Sequence, residues 1–297
     1  MLSQPSVSHA VSAIGLSELL KATERLMLET LLRPNTKDLN ELVRYHFGSG
    51  GSRVRARLAL NASQALGLSE NDCIAIAASC ELVHNASLLH DDIQDGDTLR
   101  RGREAAWHRF NPNLAMCAGT LMLSAAFQTL TQASSDTASL IAHLHARTSD
   151  LIAGQTKDLA SQNDGIDVAA YIEMAAGKSG SLLALPLELA LIAAQKASSL
   201  VTAKAAGESF ATAYQIADDL NDVDADAERG NCNIVQLLQA TGLDRQAAVV
   251  AALNIADEHR QKALWHAERL PLQSGHYMEQ LCHTLLDNTV SVESQVR

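Results

Sequence analysis

The amino-acid sequence predicts an all-α protein folded as a single domain over residues 1–297, and three observations support this prediction. Apolar residues recur at three- and four-residue spacing almost everywhere, whereas the strict alternation typical of half-buried strands is nearly absent. The chain contains only 16 Gly and 5 Pro, so long helices are favoured over many short strands. No stretch rich in Pro, Gly or Ser divides the chain, and a 47 % share of hydrophobic residues suffices for one large core.

The first four predicted helices have recognisable ends. Pro34 ends the first helix and Gly67 ends the third. Either Asn71-Asp72 or Ser69 can cap the start of the fourth helix, and Gly96 closes it. The spacing of the apolar residues predicts these helices over residues 8–33, 37–47, 54–67 and 70–94.

Six further helices follow from the same periodicity. Pro112 precedes the first of them, and Gly230 follows the fourth. Their predicted ranges are 113–132, 136–160, 167–193, 198–225, 244–268 and 275–290. The last sixty residues contain no motif of their own and are expected to complete the bundle.

The composition excludes several classes of function. Asp plus Glu number 34 against 23 Lys plus Arg, a formal charge of −11, and aromatic residues make up only 3 % of the chain. An acidic chain with few aromatic side chains is a poor candidate for binding nucleic acid or an anionic membrane.

Three features predict a cytoplasmic protein without membrane insertion. The first twenty residues have neither a cationic start nor a continuous apolar core, so no secretory signal is expected. The longest apolar stretch, Leu182 to Ala194, contains Pro186 and Glu188 and is expected to be too short to span a bilayer. The five cysteines are scattered without a Cys-x-x-Cys pair, which is typical of free thiols in a reducing compartment.

Two acidic motifs of the form Asp-Asp-x-x-Asp each close a long, alanine-rich apolar helix. Their carboxylates are Asp91, Asp92, Asp95, Asp218, Asp219 and Asp222. Aspartate is a poor helix former, negative charge at a helix C-terminus opposes the macrodipole, and neighbouring carboxylates repel. A sequence selected only for stability avoids this placement, so its occurrence twice indicates a functional site.

Helical geometry predicts that the two motifs converge. His84 shares a narrow arc with Asp91 and Asp95, because steps of seven and four residues return almost to the same face, and Gln215 has the same relation to the second motif. If the two helices pack side by side, six carboxylates meet at one end of the bundle. Such an all-oxygen site suits Mg²⁺, and there are too few His or Cys residues nearby for zinc.

Two basic segments complement the acidic motifs. Arg100-Arg101-Gly102-Arg103 follows the first motif directly, and a segment from Gly50 to Arg57 precedes the helix before it. Glycine lets the backbone approach an anion, and Arg guanidinium groups match phosphate oxygens bidentately. The sequence therefore predicts two diphosphate sites, one bridged by Mg²⁺ and one held by Arg and His.

These motifs together resemble those of the trans-isoprenyl diphosphate synthases, the polyprenyl synthetase family. The matching segments occur in the family's order over roughly residues 48–237: His84–Asp95, Arg100-Arg101-Gly102, Gly154-Gln155, Lys178-Ser179-Gly180, Tyr214-Gln215 and Asp218–Asp222. The resemblance implies an isoprenoid synthase helical bundle around a central cavity, and a homodimer. It also implies a transferase that joins isopentenyl diphosphate head-to-tail to an allylic diphosphate, with three Mg²⁺ ions.

The resemblance assigns roles residue by residue. The metal ligands would be the six aspartates of the two motifs. The residues implied to touch the allylic diphosphate or its metals are Arg100, Lys178 and Gln215. The residues implied to bind the diphosphate of isopentenyl diphosphate are Arg53, His84 and Arg101, with Ser179 and Gln155 as supporting hydrogen-bond partners.

The sequence departs from the family pattern at several positions. The family has Lys at Ser52 and at or near Asn231, Pro at Ala56, Asp at Thr120, and Phe at Tyr214. Two missing lysines predict weaker diphosphate binding unless Arg55, Arg57 or Arg229 compensates, since a charged hydrogen bond contributes about 1.5–3 kcal/mol. A slow, specialised or regulatory member of the family is therefore one alternative, and a class I terpene cyclase is another. The cyclase is disfavoured by the second Asp-Asp-x-x-Asp and by the low aromatic content.

Product length is predicted from the residues before the first motif. In this family a bulky side chain four or five positions earlier stops chain growth, and here those positions are Ser87 and Ala86. The predicted product is therefore longer than farnesyl diphosphate, and geranylgeranyl diphosphate is expected. Met116, Leu123 and Phe127 either form a deeper floor or, as we favour, belong to the ordinary core.

Overall fold

The computed structural model describes residues 15–34, 36–134, 136–161 and 166–285, without the side chains at positions 158, 160, 161, 178 and 229. Within these ranges the chain is almost entirely helical, with one short hairpin. The helices are α1 (Leu16–Leu31), α2 (Lys37–Phe47), α3 (Val54–Ala65), α4 (Glu70–Gln94), α5 (Ala106–Arg109), α6 (Pro112–Leu130), α7 (Thr137–Ser161), α8 (Val168–Ala193), α9 (Leu200–Arg229), α10 (Ile234–Ala240), α11 (Arg245–Ala267) and α12 (His276–Thr284). The antiparallel hairpin pairs β1 (Leu99–Arg100) with β2 (Arg103–Glu104).

The all-α prediction is confirmed, and each of the ten predicted helices has an observed counterpart. Residues 8–14 and 286–290 of the first and last predicted helices lie outside the described residues. Three elements were not predicted: the hairpin, α5 and α10. Helix α9 also continues four residues beyond its predicted end at residue 225, to Arg229, where Gly230 closes it in the left-handed conformation.

Helix α8 is the central element of the core. Leu182 packs with α4 and α6, Leu183 packs with α9 and α12, and Tyr171 packs with α10 and α11. Every residue from Ser181 to Leu191 is buried, as expected of a helix that is apolar on all sides. A Cβ added at Gly207 of α9 would lie 2.5 Å from the Ala184 backbone nitrogen, so glycine permits the close approach of α9 to α8.

The start of α4 is fixed by a local network of side-chain bonds. The Ser69 hydroxyl accepts a hydrogen bond from the Asp72 backbone N–H (3.2 Å), as predicted for its capping role. The Asp72 carboxylate in turn accepts one from the Ser134 backbone N–H (2.7 Å), which ties α4 to the segment between α6 and α7. Cys73 and Cys80 are buried on the core side of α4. This anchored helix carries the first acidic motif at its far end.

Three helices are long and apolar enough to cross a membrane by length and composition: α4, α6 and α8. The most apolar windows of α4 and α8 are 72 % and 76 % buried inside the fold, and that of α6 is 44 % buried. The prediction that the Leu182–Ala194 stretch is too short is therefore wrong on length, because the stretch belongs to the 26-residue α8. The apolar surface of α8 and α4 is used chiefly in packing against other helices.

A buried ion network joins α7 to α8. Glu188 is fully buried, and its carboxylate accepts hydrogen bonds from Arg147 Nη2 (2.6 Å) and Nε (2.7 Å) and lies 2.9 Å from His143 Nε2. These partners hold the pKa of Glu188 below its usual range despite burial, which opposes them. The network sets the relative position of the two helices that carry Gln155 and Lys178.

Stability is expected to fall in mild acid because His46 of α2 is buried beside Asn85 of α4, with Nε2 2.9 Å from the amide oxygen. Burial lowers the pKa of His46 to about 4. An unfolded histidine titrates near pH 6.5. Below that pH the unfolded state binds a proton that the buried His46 does not, so the free energy of unfolding falls as the pH is lowered; above it there is no such loss. Between pH 7 and pH 5, wild type should lose about 2 kcal/mol more unfolding free energy than His46→Gln. Urea unfolding at both pH values measures this, and equal losses would contradict it.

Candidate active site

The first acidic motif lies at the end of α4, with Asp95 as the residue that caps the helix. Asp92 is 1 % exposed, whereas Asp91 is half-buried and Asp95 is exposed. The Oδ1 atom of Asp92 accepts hydrogen bonds from Arg100 Nε (2.7 Å) and from Arg100 Nη2. Burial raises the pKa of Asp92, and the guanidinium of Arg100 opposes that shift. Arg100 also lies 3.6 Å from Asp97, so the hairpin that carries it is tied to the end of α4.

The second acidic motif lies near the end of α9, and its middle aspartate is the most constrained. Asp219 is 3 % exposed. Its Oδ2 atom accepts hydrogen bonds from the Tyr171 hydroxyl (2.8 Å) and the Ile234 backbone N–H (2.9 Å). Its Oδ1 atom accepts one from Gln215 Nε2 (2.9 Å). Burial raises the pKa of Asp219, and these three hydrogen bonds oppose the shift.

The two motifs share one arrangement. The middle aspartate of each, Asp92 or Asp219, is buried and hydrogen-bonded to protein groups. The outer aspartates of the second motif, Asp218 and Asp222, are exposed. The sequence prediction treated all six carboxylates alike as metal ligands. In the second motif the geometry favours the outer aspartates as ligands, because both oxygens of Asp219 already have protein partners, whereas Asp92 Oδ2 of the first motif has no hydrogen-bond partner.

The described residues contain no group of three or more His, Cys, Asp or Glu that could hold a metal ion. Within these residues, therefore, no three carboxylates lie close enough together to form a metal site by themselves. The donors nevertheless fit a hard cation: all are carboxylate oxygens, and Asp92 Oδ2 is buried without a hydrogen-bond partner. Mg²⁺ is usually held by one or two carboxylates plus substrate phosphates, so a closed cage of protein ligands is not required.

The basic site is centred on His84 and Arg55. Arg55 Nη1 lies 3.2 Å from His84 Nε2. Burial, and then the guanidinium groups of Arg55 and Arg101, hold the pKa of His84 well below its usual range. His84 is therefore neutral at neutral pH, and its Nε2 atom accepts from Arg55. An anion bound beside this cluster would meet the guanidinium groups of Arg55 and Arg101 and the neutral imidazole of His84.

Arg53 contacts two carboxylates, whereas the family resemblance implies that it binds the diphosphate of isopentenyl diphosphate. It begins α3 in the left-handed conformation (φ 52°), and its guanidinium donates to Glu24 Oε1 (3.0 Å) and lies 3.9 Å from buried Glu81. Arg53 is thus paired with carboxylates, while Arg55 stands beside His84. The resemblance implied Arg53 for the diphosphate site and offered Arg55 only as a replacement for a missing lysine, because the sequence pattern does not show which of the two arginines is paired with Glu24 and Glu81.

Arg101 connects the hairpin to the glycine segment. It occupies the hairpin turn with φ 53°, and its Nη1 atom donates to the Gly50 carbonyl oxygen. A Cβ at Gly51 would lie 2.6 Å from Arg101 Nη1, and Gly51 has φ +133°, so this position requires glycine. The Tyr45 hydroxyl donates to the Glu104 carbonyl oxygen (2.9 Å) and holds the other hairpin strand on α2.

The remaining predicted site residues are distributed over α7 and α8. Gln155 Nε2 donates to Gln94 Oε1 (3.0 Å), which joins α7 to the end of α4. Ser179 is half-buried on α8. The side chain of Lys178 lies outside the described residues. A cavity of about 430 Å³ opens between α7, α8 and α9 beside Gly154 and Gly177, and none of the described aspartates of the two motifs lines it.

The predicted chain-length residues lie on α4 below the first motif. Ala86 is buried, and Ser87 is half-buried with its hydroxyl donating to the His84 carbonyl oxygen (2.8 Å). Leu123 and Phe127 of α6 pack against the core. Met116 is 53 % exposed, so it belongs neither to a cavity floor nor to the core.

The comparison with known proteins decides the family. The model of the polyprenyl synthetase family matches residues 36–266, more than three quarters of the chain. The chain belongs to the polyprenyl synthetase family. Among curated relatives, it is 33 % identical over 218 residues to a geranylgeranyl diphosphate synthase of Mycobacterium tuberculosis, covering 71 % of this chain and 61 % of the relative. It is 33 % identical over 228 residues to a (2E,6E)-farnesyl diphosphate synthase of Mycobacterium bovis, covering 71 % and 62 %.

Solved structures of this family share the fold. A geranylgeranyl pyrophosphate synthetase from Pyrococcus horikoshii superposes with a TM-score of 0.83 at 24 % identity, covering 91 % of this chain and 96 % of that one. One from the archaeon Geoglobus acetivorans gives 0.82 at 23 % identity, covering 91 % and 98 %. The matched region spans about three fifths of the length of the curated relatives. Sequence and structure therefore agree on the helical bundle of this family.

The different surroundings of Arg55 and Arg53 predict different effects of the same substitution. Arg55→Gln should weaken binding of inorganic pyrophosphate in EDTA by about 10- to 100-fold, since a charged hydrogen bond contributes about 1.5–3 kcal/mol. Arg53→Gln should instead lower the unfolding free energy by about 3 kcal/mol, because Glu81 would lose its cation while buried. Titration calorimetry and urea unfolding separate the two effects. Weaker pyrophosphate binding by Arg53→Gln alone would contradict this assignment.

Proposed function

We propose that this polyprenyl synthetase is a Mg²⁺-dependent prenyltransferase that condenses isopentenyl diphosphate head-to-tail with an allylic diphosphate. The observation that carries the proposal is the presence of two anion sites of opposite construction. One has exposed aspartates at the ends of α4 and α9 and needs a cation to bind a diphosphate. The other is a cluster of Arg55, His84 and Arg101 that can bind a diphosphate directly.

The roles of the protein groups follow from this division. Mg²⁺, when bound by the outer aspartates, supplies charge stabilisation to a departing diphosphate. Arg100 lies beside the first motif and can donate to the same phosphate oxygens. Arg55 and Arg101 hold isopentenyl diphosphate so that its double bond faces the allylic carbon. The allylic C–O bond breaks with its electron pair on the diphosphate, the double bond forms the new C–C bond, and the proton that is lost passes to the released diphosphate.

The missing lysines are partly replaced by neighbouring groups. Arg57 Nε donates to the Ser52 carbonyl oxygen (3.1 Å), which brings a guanidinium to the segment where the family has lysine. The amide of Asn231 lies 3.4 Å from Asp226 and carries no charge. The first observation supports an active enzyme, whereas the second supports the alternative of a slow or regulatory member.

The proposed product is geranylgeranyl diphosphate. Ser87 lies one helical turn before Asp91, and neither it nor Ala86 has a side chain large enough to stop a fifteen-carbon chain. The curated relatives carry the names of both geranylgeranyl and farnesyl synthases, so they leave this choice open.

We also propose a cytoplasmic homodimer. Met116 of α6 and Ile152 of α7 are 53 % and 56 % exposed, unusually high values for large apolar side chains on adjacent helices. A second copy packed on this face would cover them. The five cysteines are all free thiols, which supports a reducing compartment.

A product assay tests the proposed activity. Purified protein is incubated with Mg²⁺, labelled isopentenyl diphosphate and either geranyl or farnesyl diphosphate, and the alcohols are chromatographed after dephosphorylation. A twenty-carbon product is expected from both primers. Asp91→Ala should reduce turnover by at least about 100-fold because it removes an outer carboxylate. Absence of any product would favour the regulatory alternative, and a product that stops at fifteen carbons would refute the proposed length.

Chain length is expected to respond to one side chain on α4. Ser87→Phe should shift the main product from twenty to fifteen carbons, because a ring one turn below Asp91 fills the space of the last isoprene unit. Ala65→Phe, at an exposed position near the end of α3, is the matched control and should leave product length unchanged. The ratio of products from geranyl diphosphate measures the effect. An unchanged ratio with Ser87→Phe would show that the chain grows elsewhere.

A further inference from the structure

Tyr171 is a buried polar residue to which the proposed function gives no role. It lies in the first turn of α8 and is 1 % exposed. Its ring packs among Ile216, Leu220 and Ile234, and its hydroxyl donates to Asp219 Oδ2 (2.8 Å). Phenylalanine would fill the same apolar space, so the hydroxyl is not required by packing alone.

Three helices meet at the Asp219 carboxylate through this hydroxyl. Asp219 belongs to α9, Tyr171 to α8, and Ile234 is the first residue of α10, whose N–H also donates to Oδ2 (2.9 Å). Asn233 strengthens the connection, because its Nδ2 atom donates to the Asp219 backbone carbonyl oxygen (2.8 Å). A carboxylate held from two other elements has a single orientation.

The fixed carboxylate determines how Gln215 is turned. A carboxylate oxygen only accepts hydrogen bonds, so the atom of Gln215 that contacts Asp219 Oδ1 at 2.9 Å is the amide nitrogen. The carbonyl oxygen of Gln215 therefore remains for partners beyond Asp219. It can accept from a water molecule on a cation, while the second N–H of the amide remains available as a donor.

We propose that Tyr171 is a positioning residue for the cation–diphosphate site: its hydroxyl holds Asp219, and Asp219 turns Gln215 so that the amide oxygen is presented to the ligand. This inference rests on the proposed function for the nature of that ligand, a diphosphate with a hydrated divalent cation. It assigns the second aspartate of the motif to the support of Gln215. It specifies one part of the contact of Gln215 with the allylic diphosphate or its metals, which the family resemblance implies, as an acceptor contact to cation-bound water.

The test compares pyrophosphate binding with and without a cation in Tyr171→Phe. Calorimetry with inorganic pyrophosphate in saturating Mg²⁺ should show binding weakened about tenfold, the usual effect of removing a group that orients a metal site. Binding in EDTA, which reports the basic site, should remain within about twofold of wild type. In turnover assays the Mg²⁺ concentration for half-maximal rate should rise, while the KM for isopentenyl diphosphate stays unchanged.

Thr212→Val is the matched control, since Thr212 is a fully buried hydroxyl on the same helix that donates to its own turn at Glu208 (3.1 Å). It should change neither mode of pyrophosphate binding. If Tyr171→Phe folds poorly, Ile234→Pro removes the second donor to Asp219 at the first position of α10, where proline is well tolerated, and should give the same selective loss.

The outcomes separate this inference from the proposed function. Equal weakening in Mg²⁺ and in EDTA, or no weakening in either, would overturn the positioning role. A wild-type protein that forms no prenyl product but binds Mg²⁺–pyrophosphate, with selective loss in Tyr171→Phe, would refute the proposed activity and support the positioning role.

Discussion

The arrangement of the site depends on one physical requirement: a carboxylate removed from water must be hydrogen-bonded or paired. Asp92 satisfies it with Arg100 and so ties the hairpin to α4. Asp219 satisfies it with Tyr171 and the start of α10 and so ties α8, α9 and α10 together. Each motif thus uses its middle carboxylate to fix the structure around the outer ones, which stay accessible or half-buried.

A third buried carboxylate organises the basic side in the same way. Glu81 is 2 % exposed, accepts from the Ala56 backbone N–H (3.2 Å), and lies 3.9 Å from Arg53. It therefore anchors the start of α3 and leaves Arg55 turned to His84. Part of the excess of acidic residues in this chain therefore serves as internal support for the structure around the two proposed diphosphate sites.

Much of the fold could be predicted because helical periodicity is strong and local. The long helices and the caps at Ser69 and Gly230 were visible in the pattern. Helix α10 was missed because seven residues carry too little periodicity, although Asn233 is a recognisable N-cap that accepts from the Val235 N–H. The two-residue strands of the hairpin are equally short, and their pairing depends on contacts with α2 and α4.

The acidic motifs could be located from the sequence, but the division of labour within them could not. Helical steps placed Asp219 on a common arc with Gln215 and Asp222, and no local rule shows that Tyr171, 48 positions earlier, would bond to it. The most direct test of this division counts the Mn²⁺ ions bound per chain with saturating pyrophosphate in Asn variants of Asp91, Asp218 and Asp219. Asp91→Asn and Asp218→Asn should each reduce the number bound, while Asp219→Asn should retain the wild-type number at lower affinity. A lost ion in the Asp219 variant, with none lost in the other two, would contradict the division.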